Sequence, residues 1–236
     1  DEGIVLSTGY VSEIPGDNST QRPETQGRGN ATDNNLTATT TGGADPLIPD
    51  SDNRCRLQFT FRLGDGTQAG TLYMNYVFGS DEYIDYFGGN YNDGFLLAVD
   101  GQNIAKIDID FFGDGSIILQ DDVKVNNVGP DNNSQFYRNN ISNTNGYPVE
   151  GRKTRLDGFT TVLQARVDLT PGPHEMVAVV ADVDDDIIDT VVFLQGGSFA
   201  NAATYNVGAS VSGGNGAVNC TPNPAAAGAS STCTAV

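Results

Sequence analysis

Cys55-Arg56-Leu57-Gln58-Phe59-Thr60-Phe61-Arg62-Leu63 alternates apolar and polar side chains without a break. Successive residues of an extended chain point to opposite faces. This period of two therefore buries Leu57, Phe59, Phe61 and Leu63 on one side and sends Gln58, Thr60 and Arg62 to water. Gly64-Asp65-Gly66 turns the chain, and the apolar run 72–78 supplies the next strand. Working outward, strands are expected at 3–9, 94–99, 103–107, 116–119, 123–127, 159–169, 174–181 and 187–195. Asp100-Gly101 suits a hairpin turn, and Pro171-Gly172-Pro173 makes a second tight connection. No 3.6-residue apolar stripe of useful length occurs. The expectation is an all-β fold, an antiparallel β-sandwich of jelly-roll type with long decorated loops and a C-terminal extension. Residues 1–200 read as one domain carrying a long polar insertion at 12–53. Residues 201–236 read as an edge strand at 203–212 followed by an Ala/Gly/Ser/Pro-rich tail.

Composition narrows the function classes. Of 236 residues, 38% are hydrophobic, enough for a core, while 29 Gly and no Trp favour strands and turns. A net charge of −18 repels nucleic acid and anionic membrane surfaces. No run of about 18 apolar residues is present, so no membrane span is expected. The chain starts at Asp1, as a processed mature protein would. N-x-[ST] sites stand at Asn18, Asn30, Asn35, Asn132, Asn140 and Asn219, all in polar, loop-like sequence. They point to N-linked glycans and a secreted protein. Cys220 and Cys233 bracket the tail and can bridge; the partner of Cys55 stays open.

Two acidic clusters stand out. Gly79-Ser80-Asp81-Glu82-Tyr83-Ile84-Asp85 follows the apolar run 72–78. Ala181-Asp182-Val183-Asp184-Asp185-Asp186-Ile187-Ile188-Asp189 follows the apolar run 176–180. Carboxylates this dense at the end of a buried strand repel one another and resist desolvation, so a hard cation, Ca²⁺, is expected among them. The candidate ligands are Asp81, Glu82, Asn92, Asp93, Asp182, Asp184, Asp186 and Asp189. An EF-hand is excluded. Asp182-x-Asp184-x-Asp186 opens with its spacing, but Ile187 stands where Gly belongs and Phe193 where the bidentate Glu belongs. The bland alternative is a solvated acidic rim. The patch from Asp108 to Gly115 reads as a turn, and Asp121-Asp122 as loop.

Catalytic chemistry finds little support. His174 is the sole histidine and reads as a surface imidazole at a strand start. Cys55 lies in an alternating strand, the place of a structural thiol. One His and no CxxC pair argue against zinc. A glycoside hydrolase needs only two carboxylates, for which Asp81, Glu82 and Asp93 would serve. Tyr73, Tyr76, Tyr83, Tyr86 and Tyr91 would then have to replace the missing Trp as sugar platforms, although strand packing is the plainer role.

Several phrases combine into a pattern. They are Gly3-Ile4-Val5-Leu6-Ser7-Thr8-Gly9, Tyr76-Val77-Phe78-Gly79-Ser80-Asp81-Glu82-Tyr83, Tyr91-Asn92-Asp93-Gly94-Phe95 and Val125-Asn126-Asn127-Val128. Leu156-Asp157-Gly158-Phe159-Thr160, Ala181-Asp182-Val183 and the run from Asp189 to Phe199 complete it. The series resembles the choice-of-anchor L domain, a module of secreted and cell-surface proteins named for the variety of anchors that follow it. The likeness covers roughly residues 3–200 and implies location and architecture more than chemistry. Two departures matter. Asp81 precedes Glu82 where the family carries paired glutamates, and Asp184-Asp185-Asp186 replaces a Gly-containing loop. Both keep or add oxygen ligands. The expected function is a non-enzymatic, glycosylated, Ca²⁺-stabilised structural or adhesive module at the cell surface, a homo-oligomer or polymer in which the tail strand adds to a neighbour's sheet edge. The alternative is a lectin-like module holding carbohydrate at the Ca²⁺ and the 83–91 loop. A carboxylate-dependent hydrolase stands third.

Overall fold

The computed structural model describes residues 2–16, 18, 51–109, 119–141, 148–184, 188–202, 204, 205, 207–210, 217–223, 225, 226 and 229–235. The strands in chain order begin with β1 (Gly3–Ser7), β2 (Ser51–Phe61), β3 (Gly70–Ser80) and β4 (Gly94–Val99). Next come β5 (Gln102–Asn103), β6 (Lys106–Ile109), β7 (Leu119–Lys124), β8 (Tyr137–Asn139) and β9 (Gly158–Thr160). Three longer strands, β10 (Leu163–Leu169), β11 (His174–Val183) and β12 (Thr190–Gln195), complete the sandwich. Four short tail strands follow: β13 (Thr204–Tyr205), β14 (Val218–Thr221), β15 (Ala225–Ala226) and β16 (Thr232–Ala235).

One sheet runs β1-β12-β3-β9-β8 with β10 also on β3, and the other runs β2-β11-β4-β7-β6 with β5 on β4. Every one of these strand pairs is antiparallel. The pairs β1·β12, β2·β11, β3·β10 and β4·β7 nest inside one another, as when one long hairpin is rolled up. That winding is a jelly roll, as the strand spacing led one to expect.

Period-two burial explains why the layers pack. Leu72, Met74, Tyr76 and Phe78 of β3 face Phe95, Leu97 and Val99 of β4 and Met176, Ala178 and Val180 of β11 across one core. Leu57, Phe59 and Phe61 of β2 close its flank, and Cys55 sits beside them, half-buried and opposite Val180. Strands β4 and β11 are buried on their other face too, through Leu96, Ala98, Val177, Val179 and Ala181. This is why both read as continuous apolar runs rather than as alternating ones.

Several expected elements shift. Residues 103–107 split between β5 and β6, because the Asn103 side-chain oxygen accepts from the Leu97 and Ala105 amides and breaks the ladder. The expected strand 159–169 breaks at Thr161 and Val162. Leu163 faces Tyr76 while Phe159 faces Gly79, so four steps on one side meet three on the other. The extra residue turns Val162 outward, 51% exposed. Asp121-Asp122 belongs to β7 rather than to a loop, and 123–127 ends as a 3-10 turn at Val125–Asn127. Strand β12 starts at Thr190, not at 187. Most of 116–119 lies outside the described residues. In the tail, β13 pairs with β15 rather than with the sandwich, and 207–210 are not strand, so an edge strand over 203–212 is not what the described residues form. Cys220 and Cys233 stand directly opposite on β14 and β16 and are joined by a disulfide.

The surface imidazole expected at position 174 is instead buried, 6% exposed. His174 Nδ1 lies 2.7 Å from Asp100 Oδ2 and Nε2 lies 2.8 Å from the Thr170 carbonyl, so both nitrogens face acceptors, an arrangement that favours the imidazolium. The bond to Asp100, then that to Thr170, raises the His174 pKa above 6.5; the same bond lowers that of Asp100 below 3.8. The raised group stabilises fully below 6.5 and loses its contribution as pH climbs through its folded value. The depressed carboxyl stabilises above 3.8 and loses its contribution on acidification below that. The difference in melting temperature between the wild type and His174→Gln is therefore expected to be largest between these limits. It should shrink as pH rises above 6.5; a difference independent of pH would remove the imidazolium.

Candidate functional site

Strand register brings six acids to one end of the sandwich. Asp81 and Glu82 follow the last residue of β3, and Asp182 is the penultimate residue of β11. Asp93, Asp157 and Asp189 each stand one residue before β4, β9 and β12. Ser80 pairs with both Thr190 and Gly158, and Ala181 pairs with Gly94, so the strand ends share a level. All six side chains are at most 1% exposed.

Hydrogen bonds knit this end. The Thr190 hydroxyl donates to Asp93 Oδ2 at 2.6 Å, crossing from one sheet to the other, and lies 3.0 Å from Ser80 Oγ. The other Asp93 oxygen accepts from the Val183 amide at 2.9 Å. Asp81 Oδ1 accepts from the Asp157 amide at 3.1 Å, and the Asp81 amide donates to the Asp189 carbonyl at 3.2 Å. Asn18 reaches in from the start of the polar insertion, its Nδ2 2.7 Å from Asp157 Oδ1. Gly9 lies so close to the Asp189 carboxylate that a side chain there would overlap it, which is why the residue after Thr8 is Gly. Beside the cluster, Tyr83 is fully buried; burial, then Tyr137 and Asp93, push its phenol above the ordinary range and keep it protonated.

Of the expected ligands, Asp81, Glu82, Asp93, Asp182 and Asp189 are thus gathered. Asn92 is not: its side-chain oxygen accepts from the Asn126 amide at 2.9 Å, on the neighbouring 3-10 turn. Asp184 is exposed, at φ 73°, where the chain turns away. Asp186 lies outside the described residues. Asp157 joins the cluster without having been named as a ligand. The sequence did carry a sign of it, because Asp93-Gly94-Phe95 and Asp157-Gly158-Phe159 repeat one tripeptide, each opening a strand. Among the described residues no three His, Cys, Asp or Glu side chains already stand in metal-ligating geometry.

The glycan sites sort by burial. Asn132 and Asn219 are exposed, and Asn30 and Asn35 lie outside the described residues. Asn18 is half-buried, with its amide nitrogen on Leu156 and Asp157. Asn140 is only 2% exposed, and its amide nitrogen donates to the Thr154 and Leu156 carbonyls, both at 2.9 Å. Its oxygen accepts from the Arg152 amide at 2.8 Å. A glycan is built on that same nitrogen, which in this arrangement fastens the 152–156 segment.

The sequence profile of the Choice-of-anchor L domain matches residues 1–200. The chain belongs to that family. Membership and the Cys220–Cys233 disulfide place this choice-of-anchor chain at the cell surface or outside the cell. No helix among the described residues is long and apolar enough to cross a membrane. No curated protein matches the chain. Among solved structures, a family 35 carbohydrate-binding module from an environmental isolate aligns with 85% of this chain and 98% of its own. At 12% identity and a TM-score of 0.26, that likeness supports no conclusion about this choice-of-anchor domain.

Glycopeptide mapping of the chain passed through a glycosylating secretory pathway is expected to find Asn140 bare, with glycans confined to exposed sites such as Asn132 and Asn219. A glycan at Asn140 would show that the loop closes only after modification.

Proposed function

We propose that the chain is a non-catalytic, glycosylated extracellular module whose acidic end takes up a divalent cation, Ca²⁺, to hold its strand ends together. The convergence of six fully buried carboxylates carries this reading. Carboxylate charge that has left water is costly unless hydrogen bonds, protons or cations compensate it, and the several N–H and O–H donors at Asp81, Asp93 and Asp157 compensate part. A hard cation accepting about six to eight oxygens suits such a convergence of buried carboxylates and strand-end carbonyls. Binding of this kind clamps both sheets and performs no reaction. The lone imidazole is bound up in the Asp100 bridge, away from the carboxylates, which leaves an acid–base mechanism without its commonest partner.

EDTA is expected to lower the melting temperature, and excess CaCl₂ to restore it. At about a hundredfold over Kd, a bound cation stabilises by about 2.7 kcal/mol. Glu82→Gln should shrink the EDTA effect. An unchanged melting temperature in EDTA, with no Ca²⁺ found by elemental analysis of the purified protein, would end the cation reading.

The module also assembles, in our reading, by seating the tail of one copy on the outer face of another. Residues 201–236 contain no Asp, Glu, Lys or Arg, in a chain of net charge −18. Such an arm approaches a second copy without charge repulsion. On the outer face of the β1-β12-β3 sheet, Val5 pairs with Phe193, and Phe193 with Val77. Val77, Val162 and Phe193 line two adjoining grooves of about 460 and 490 Å³, and Val5 lines the first. An apolar floor of this kind suits an uncharged Ala- and Val-containing arm. Sedimentation of the full chain is expected to show association that grows with concentration and that Val162→Lys weakens. A strict monomer would refute assembly and leave the cation reading standing.

A further inference from the structure

A second groove, remote from the acidic end, has a different chemistry. It lies where β10, at the edge of one sheet, meets β5, β6 and β7 at the edge of the other. It encloses about 340 Å³, within the size range of ligand clefts. Ile104 and Val167 are the two apolar side chains of the lining; the others end in amide, carboxylate, ammonium or guanidinium groups.

Those polar groups are held in place from behind. The Gln120 amide donates to Asp108 Oδ1 at 2.6 Å, and the Gln164 amide to Asn75 Oδ1 at 2.8 Å. Lys106 is paired with Asp122, which also accepts from Asn103 at 3.1 Å. On the opposite wall, the Thr71 hydroxyl donates to Asp168 Oδ1 at 2.6 Å, while Arg166 stacks 6.0 Å above the Tyr73 ring. Groups fixed before a ligand arrives lose little freedom on binding it.

The charges inside the groove cancel. Lys106 and Arg166 balance Asp108 and Asp168, in a protein that is otherwise strongly acidic. An anionic ligand would meet the repulsion of the whole chain, and the balanced lining offers a cationic one no net attraction. A peptide would need pockets for its apolar side chains, and two aliphatic side chains do not build them. Fixed planar amides, carboxylates and a guanidinium, alternating donors and acceptors, match the neighbouring hydroxyls of an uncharged sugar. We propose that this groove binds a neutral polysaccharide segment. It rests on residues separate from those of the cation reading and needs no metal.

Native gels cast with dextran, xylan, galactomannan or mixed-linkage β-glucan test it. The full chain should be retarded in at least one, equally with EDTA and with Ca²⁺. Gln120→Ala/Asp168→Ala, both exposed positions, should weaken the retardation about tenfold or more while the melting temperature holds. Arg166→Lys keeps the charge but loses the planar donor fork, and should weaken it as well. Mobility unchanged by all four polymers would overturn the proposal. So would retardation that the double variant retains in full, or that EDTA abolishes, which would move sugar binding to the acidic end.

Discussion

The hydrogen bond from the Thr190 hydroxyl to Asp93 joins two sheets whose facing sides are largely apolar. It sits where the ends of β3 and β11 and the beginnings of β4, β9 and β12 come level, and every one of those ends carries a carboxylate. The rolled-up hairpin imposes this constraint. Once β1 lies on β12 and β3 on β10, the strand ends of both layers must crowd together. Whatever occupies the rim is then buried with them. Acids there cost desolvation energy. Apolar residues would have avoided that cost, so folding alone does not account for acids at this end.

Around that end the chain makes room. Gly9 yields its side-chain space to Asp189, and Gly158 lets Tyr83 and Tyr137 close over the rim. Asn18 and Asn140 both spend their amides on the 152–157 segment, one from the start of the polar insertion and one from the end of β8. The glycan pattern alone would have counted both as attachment points. Fastening the loop that carries Asp157 gives these residues a role in shaping the acidic end. That puts function and fold on the same hydrogen bonds.

The three surfaces differ in the physics each suits. In our proposals the acidic end takes a hard cation, the Val162 groove an uncharged apolar arm, and the charge-balanced groove a sugar's hydroxyls. They lie on separate parts of the sandwich, so occupancy of one does not block another.

The strand alternation of Leu57, Phe59 and Phe61, the buried runs of β4 and β11 and the Asp100-Gly101 turn were all legible in the residues. Period, β-branching and turn chemistry are local properties. Five carboxylates of the acidic end were legible for the same reason, as acids placed directly against apolar strand ends. What only the tertiary structure decided depends on residues far apart in the chain. Asn92 turns to Asn126, Asp157 joins from a strand of another hairpin, and His174 is buried against Asp100 across 74 positions. The one-residue slip that exposes Val162 is likewise invisible locally, since it exists only in the register of β9 and β10 against β3. Sequence records what each residue prefers, while pairing register sets which neighbour it meets and whether water can reach it.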